Sequence, residues 1–289
     1  MILIDTHSHI HEADFPAEKL GGMREILRSA AANDVRKIIL IGTSMKSSRD
    51  AVNFAKKWDG FAGLKLRVAV GIHPHEADPK LARNFENDVE NLAKLLADDD
   101  AHFIVAVGEI GLDYFYDFDF RARQIELLKL QFQLAKTFAK PVNFHIRDPK
   151  NPAEIRENNS DFNSVWDDFW PLYDEFFDKD FSRNILHSYT EQSRENLQKA
   201  VSRNLNFGVN GISTFAKKSE QNLWKNDLPL AKIVLETDAP FLAPNGFRGQ
   251  INQPARIRDI AQNLANFREK TLDEIAKITS ENAEKILGI

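Results

Sequence analysis

Short apolar runs rich in β-branched residues alternate along the chain with longer stretches whose apolar positions recur every three to four residues. The first pattern predicts buried strands and the second amphipathic helices, and their regular alternation predicts parallel βα units. Strands are expected near 2–10, 37–43, 66–73, 103–112, 142–146, 184–187, 206–209 and 232–237. Helical periodicity lies at 17–32, 47–57, 83–96, 122–138, 191–201, 219–224, 253–267 and 272–286. Ser47, Thr190 and Thr271 are placed as N-caps, and Thr271 with Glu274 completes an S/T-x-x-E capping box. Eight strands, each followed by helix, is the count that closes an α/β fold into a TIM-type (β/α)8 barrel, whereas an open doubly wound sheet has no need of eight. One domain spanning 1–289 is expected, with an enlarged loop after strand 5 at about 148–183.

That loop is unusual in composition. Residues 148–181 hold ten acidic and three basic residues around the aromatic run VWDDFWPLYDEFF. The aromatics are expected to pack the loop onto the barrel through one or two short helices, with Pro171 starting or breaking one. Trp166, Trp170 or Tyr173 could instead form a wall of the cleft.

The candidate chemistry lies where the apolar runs end. A β/α barrel carries its active site at the C-terminal ends of its strands. His7 and His9 sit at the end of strand 1 with the i, i+2 spacing that turns both to one face. Glu109 ends strand 4, His145 strand 5, His187 strand 6 and Asp238 strand 8. One polar residue at a strand end is commonly structural, but six at matching ends of five strands are costly to bury together unless cations compensate them. Four imidazoles and two carboxylates suit Zn²⁺, Mn²⁺, Co²⁺ or Fe²⁺, and exceed what one tetrahedral ion with an open position needs. Two ions sharing a carboxylate fit better, with Glu109 as the bridge, His7, His9 and Asp238 on one ion, and His145 and His187 on the other. Such a pair makes water more acidic and polarises the bond to be split, and Asp238 is placed to take a proton from that water.

Composition narrows the alternatives. The chain has no cysteine, which excludes disulfides and thiolate ligands. It contains no G-x-S-x-G turn, P-loop or G-x-G-x-x-G. Lys and Arg number 38 against 43 Asp and Glu, a formal charge of -5, so broad phosphate neutralisation is not its mode of binding. A phosphate ester would have to be attracted locally, and bound metals could supply that attraction. No apolar run approaches the roughly 20 residues of a membrane span, and no leader pattern opens the chain, so a cytoplasmic protein without membrane partners is expected.

The blocks IDTHSHI, VGIHPHEA, VGEIGLDY, PVNFHIRD and ETDAPFLAP, followed by FRGQINQPARI, resemble in this order the TatD family of metal-dependent nucleases within the amidohydrolase group. The resemblance covers essentially the whole chain, and GEIGLDY and ETDAP are its most specific blocks. It implies a TIM barrel with two divalent ions (Mg²⁺, Mn²⁺ or Zn²⁺) and phosphodiesterase activity on DNA, commonly 3′-to-5′ exonucleolytic on single strands. It also implies His7, His9, Glu109, His145, His187 and Asp238 as ligands. His73 is placed as a contact to the phosphate or scissile group, and Arg147 and Asp113 as candidates either to contact substrate or to support the ligands from behind. A monomer or weak oligomer is expected. Two departures stand out: strand 6 reads LHSYTEQS where the family carries a His-Cys-Phe-(Ser/Thr)-Gly type block, and the loop between His145 and His187 is longer. The competing enzyme reading is hydrolysis of a small ester, lactone or amide on the same metal site. Glu109, in place of the carbamylated lysine usual in lactonases and phosphotriesterases, favours the nuclease branch. A non-catalytic barrel scaffold is disfavoured because every presumed ligand is present.

Overall fold

The computed structural model describes the chain except residues 82–83, 116–118, 152–154, 156, 158–161, 163, 179–182, 192 and 216–226. Eight strands form one parallel sheet in sequential order: β1 (Leu3–Ser8), β2 (Val35–Ile41), β3 (Lys65–Val70), β4 (Ile104–Asp113), β5 (Val142–Arg147), β6 (Ile185–Leu186), β7 (Asn206–Val209) and β8 (Ile233–Leu235). The sheet curls until its two ends meet. Ser8 bridges Ala239, the Asp238 N–H donates to the His7 carbonyl at 2.8 Å, and the His9 N–H donates to the Ala239 carbonyl at 2.8 Å. This is the (β/α)8 barrel that the alternation predicts.

Strands buried on both faces read as continuous aliphatic runs, and RKIILI in β2 shows why. Ile38 and Leu40 join the layer between barrel and helices, while Ile39 and Ile41 point inward to Ile4, Ala69, Val105, Ile185 and Val234. Among the described residues the α-helices are α1 (Met23–Ala32), α2 (Met45–Trp58), α3 (Phe85–Ala97), α4 (Arg121–Thr137), α5 (Val165–Phe176), α6 (Arg194–Ser202), α7 (Ile257–Phe267) and α8 (Leu272–Leu287). α8 adds Ala283, Ile286 and Leu287 to the inner cluster, and its Asn282 amide donates to the Ile233 carbonyl at the start of β8 (2.8 Å). The N-terminal mouth of the barrel is thereby covered and the C-terminal mouth left free.

Several boundaries differ from expectation for local reasons. The stretch 17–32 is split because Gly21 and Gly22 adopt φ of 84° and 89°, which a helix cannot continue through. Ser44, not Ser47, caps α2, accepting from the Ser47 N–H at 3.1 Å, and Ser193, not Thr190, caps α6. Thr271 and Glu274 form the expected capping box of α8. Pro171 neither starts nor breaks α5 but lies inside it, where burial of Trp166, Phe169, Trp170 and Tyr173 outweighs one missing N–H. The helix expected at 219–224 lies outside the described residues.

Candidate metal centre

Each of the six strand-end residues arrives at the open mouth. His7, buried completely, lies beneath the cleft, while His9, Glu109, His145, His187 and Asp238 line it with His73, Asp113 and Arg147. The cleft encloses about 690 Å³. Every site residue expected from the sequence is therefore brought to one place.

The two oxygens of Glu109 face different histidines. Oε2 lies 3.5 Å from His7 Nε2 and 3.9 Å from His9 Nε2, whereas Oε1 lies 2.7 Å from His145 Nδ1 and 3.7 Å from His187 Nε2. Asp238 Oδ1 completes the first group at 3.5 Å from His7 Nε2 and 3.3 Å from His9 Nε2, and the two imidazole nitrogens are themselves 3.1 Å apart. Ligands bonded at 2.0–2.1 Å to a tetrahedral ion sit about 3.3 Å from one another. The donor set thus fits a cation: nitrogen lone pairs and carboxylate oxygens converge at ligand spacing. His7, His9 and Asp238 group in this way, as do His7, Glu109 and His187.

The far sides of three of the imidazoles have partners as well. His9 Nδ1 is 3.1 Å from the Ile41 carbonyl, His187 Nδ1 is 2.9 Å from Glu236 Oε1, and His145 Nε2 is 2.9 Å from Asp113 Oδ2. A partner behind an imidazole sets its tautomer and orientation and raises its basicity as a ligand. Burial opposes the charged form of His145, but Asp113 and Glu109 outweigh it and lift its pKa to about 9. His187 behaves alike: burial opposes its charge, and Glu236 and Glu109 lift it to about 10. Burial would raise the Glu109 carboxyl, yet His7, His187 and His145 hold it well below the usual carboxylate range.

His73 is held differently from the other four imidazoles. Its Nδ1 accepts the His75 N–H at 3.2 Å, so in the neutral ring the proton resides on Nε2, which lies 3.9 Å from Glu109 Oε1. Burial, followed by the neighbouring His145, pushes its pKa well down and keeps the ring neutral. It therefore offers the cleft an N–H donor, although its position beside Glu109 and His145 would also place it within reach of a metal. His75 Nε2 lies 3.0 Å from Asp113 Oδ2, the oxygen that His145 also uses. Arg147 lies over the Phe115 ring at 3.6 Å, with Nη1 3.9 Å from Asp113.

Glu236 escaped the sequence reading, although a signal for it exists. Gly208 in β7 leaves room for its carboxylate to cross toward His187 on β6; a Cβ there would lie 2.2 Å from Glu236 Oε2. An isolated glycine within a strand commonly marks such a close approach. The acidic lining that surrounds the presumed ligands was missed too: Glu12, Asp14 and Glu76 come from the segments after β1 and β3. Glu12 is partly buried, which favours its neutral form, but His11 and Ser47 hold its pKa at about 2. Of the three insert aromatics, Trp166 borders a side cavity next to His187, while Trp170 and Tyr173 pack into the outer layer.

A β/α barrel whose open mouth gathers imidazoles and carboxylates at ligand spacing defines a metal-dependent hydrolase. The chain belongs to the TatD related DNase family, which it matches over residues 4–288. It is 29% identical over 291 residues to the uncharacterized metal-dependent hydrolase YcfH of Escherichia coli K12, covering 100% of this chain and 97% of that one. The 3′-5′ ssDNA/RNA exonuclease TatD of Citrobacter rodentium is 29% identical over 273 residues, 92% of this chain and 91% of the relative. The crystal structure of YjjV, a TatD homologue from E. coli K12, superposes with a TM-score of 0.74 at 28% identity, covering 99% and 98% of the two chains.

Proposed function

We propose that the protein is a two-metal phosphodiesterase that shortens single-stranded DNA from its 3′ end. The observation that carries this reading is Glu109, whose Oε2 lies toward His7 and His9 while its Oε1 lies toward His145 and His187. His7, His9 and Asp238 would hold one divalent ion (Mg²⁺, Mn²⁺ or Zn²⁺), His145 and His187 the other, with Glu109 shared. Ions held there lower the pKa of water and draw charge from the phosphoryl oxygens. The chain's own groups do the rest. The Asp238 carboxylate accepts the proton of the attacking water, a bond forms from water oxygen to phosphorus, and the bond to the leaving sugar oxygen breaks as that oxygen takes up the proton that Asp238 gives back. His73 Nε2–H donates to a non-bridging oxygen, Arg147 adds positive charge, and Asp113 and Glu236 keep His145 and His187 aimed. The name of the Citrobacter relative supports a nucleic-acid substrate. Glu12, Asp14 and Glu76 support action at a strand end, because carboxylates along one wall disfavour a polyanion that continues in both directions.

The same wall is what favours the competing reading, a small ester, lactone or amide. The two separate on an end-labelled single strand offered to chelator-stripped protein with Mg²⁺, Mn²⁺ or Zn²⁺ restored. Stepwise 3′ shortening is expected, lost with Glu109→Ala in a protein that still folds. Absence of cleavage with every metal, from protein binding two ions, would overturn the nuclease reading in favour of the small-substrate one.

A further inference from the structure

Three of the large apolar side chains exposed among the described residues gather at one edge of the cleft: Ile212 (37% exposed), Phe215 (41%) and Phe241 (59%). With Pro240, Leu242 and Arg248 they line a depression of about 620 Å³. Pro240 and Phe241 also line the metal cleft, so the two spaces adjoin, and the Phe241 ring stands 6.3 Å from that of His9. The Arg248 guanidinium lies 5.7 Å from the Phe215 ring. A contiguous apolar patch left in water beside a reaction centre marks a surface that a ligand covers.

Charge decides which ligand. The segments after β1 and β3 carry Glu12, Asp14 and Glu76, and a polyanion is turned away on that side. The segments after β7 and β8 present aromatic faces and a cation instead. This is the pairing that holds single-stranded nucleic acid, rings stacking on bases while guanidinium groups meet phosphates.

Resting on the nuclease reading above, we propose that Phe241 and Phe215 form a nucleobase subsite for a nucleotide flanking the scissile phosphate, with Arg248 meeting the neighbouring phosphate. Stacking accepts any base, because every base has a π-face. It also demands that the base be free of its own stack, which a duplex does not allow without paying to expel it. The patch thus selects for single strands without reading sequence.

The test compares two metal-loaded reactions: a normal single strand, and the same strand with an abasic tetrahydrofuran residue on one or the other side of the terminal linkage. Wild-type protein is expected to prefer the normal strand by about tenfold in kcat/KM for one of the two placements. Phe215→Ala and Phe241→Leu should each bring that ratio close to one, and Arg248→Ala should raise KM with kcat little changed. Strand cleavage with no preference in the wild type, or a preference that survives both aromatic substitutions, overturns the subsite alone. Failure of the wild type to cleave either strand overturns the nuclease reading and the subsite with it. Variants that alter only self-association in sedimentation would assign the patch to a second copy of this chain, which also overturns it.

Discussion

At the scale of single residues, the presumed ligands are only half of the apparatus. Glu236 reaches His187 by crossing β7 at Gly208, so an ordinary side chain at that position would push the carboxylate away. Gly208→Ala is expected to lower metal affinity or kcat by about 10–100-fold, the usual effect of losing a partner behind a ligand. Metal titration by calorimetry checks this, with circular dichroism to verify folding; unchanged affinity and rate would remove Glu236 from the account. The difference between what was legible and what was not is physical. His7, His9, Glu109, His145, His187 and Asp238 stand out because each interrupts or ends an apolar run, a one-dimensional signal. Glu236 stands only two residues before Asp238, but its partner is 49 positions earlier, and no spacing rule connects strands across a glycine. The role of His73 as donor depends on a backbone amide two residues ahead, which sequence spacing does not reveal.

At the scale of elements, the acidic loop divides into a part that reads well and a part that lies outside the described residues. The aromatic run forms α5, as its apolar spacing indicates, and Phe169 and Tyr173 pack against Phe144, the neighbour of His145. Its acidic side is engaged as well. Asp168 accepts from the buried Tyr114 hydroxyl at 2.8 Å and from Arg121 Nε at 2.5 Å, tying α5 to the end of β4 and to α4. Burial, followed by the Asp168 carboxylate, pushes the Tyr114 pKa far up, so the phenol remains a donor. Asp168→Ala should cost about 2 kcal/mol, most of it the lost hydrogen bond from the buried Tyr114 hydroxyl to a carboxylate, since Arg121 is half in water and its ion pair is screened. Urea unfolding measures the loss; a change under about 0.5 kcal/mol, the usual size for a surface substitution, would show that α5 is held by its aromatics alone.

At the scale of the whole molecule, ion binding and folding are linked. In the metal-free protein His145 and His187 keep their second protons to about pH 9 and 10, against an ordinary value of 6.5. The stabilisation that this brings is full below pH 6.5 and is lost as pH rises through 9 and 10. Chelator-treated protein should therefore melt at a lower temperature at pH 9.5 than at pH 6.5. Over the same interval metal affinity should rise, because a ligating imidazole must first surrender a proton. At pH 7.5, metal at a hundredfold excess over Kd should raise Tm by about 5 °C. Differential scanning calorimetry with and without chelator tests both statements, and equal melting curves would contradict them. The barrel itself is legible from eight alternations of apolar run and helix; the way it closes is not, because that depends on contacts between residues about 230 positions apart, among them the backbone bonds from Asp238 to His7 and from His9 to Ala239 and the bonds from Thr237 to the Asp5 side chain.

The closing seam between Ser8 and Ala239 also sets when the site can form. His7 and His9 lie at the end of the first strand, whereas Asp238 follows only after all eight strands have been synthesised. A growing chain holds two imidazoles of the first donor group without their carboxylate, and its cleft is unfinished. The first donor group is thus complete only once the last strand of the barrel lies beside its first.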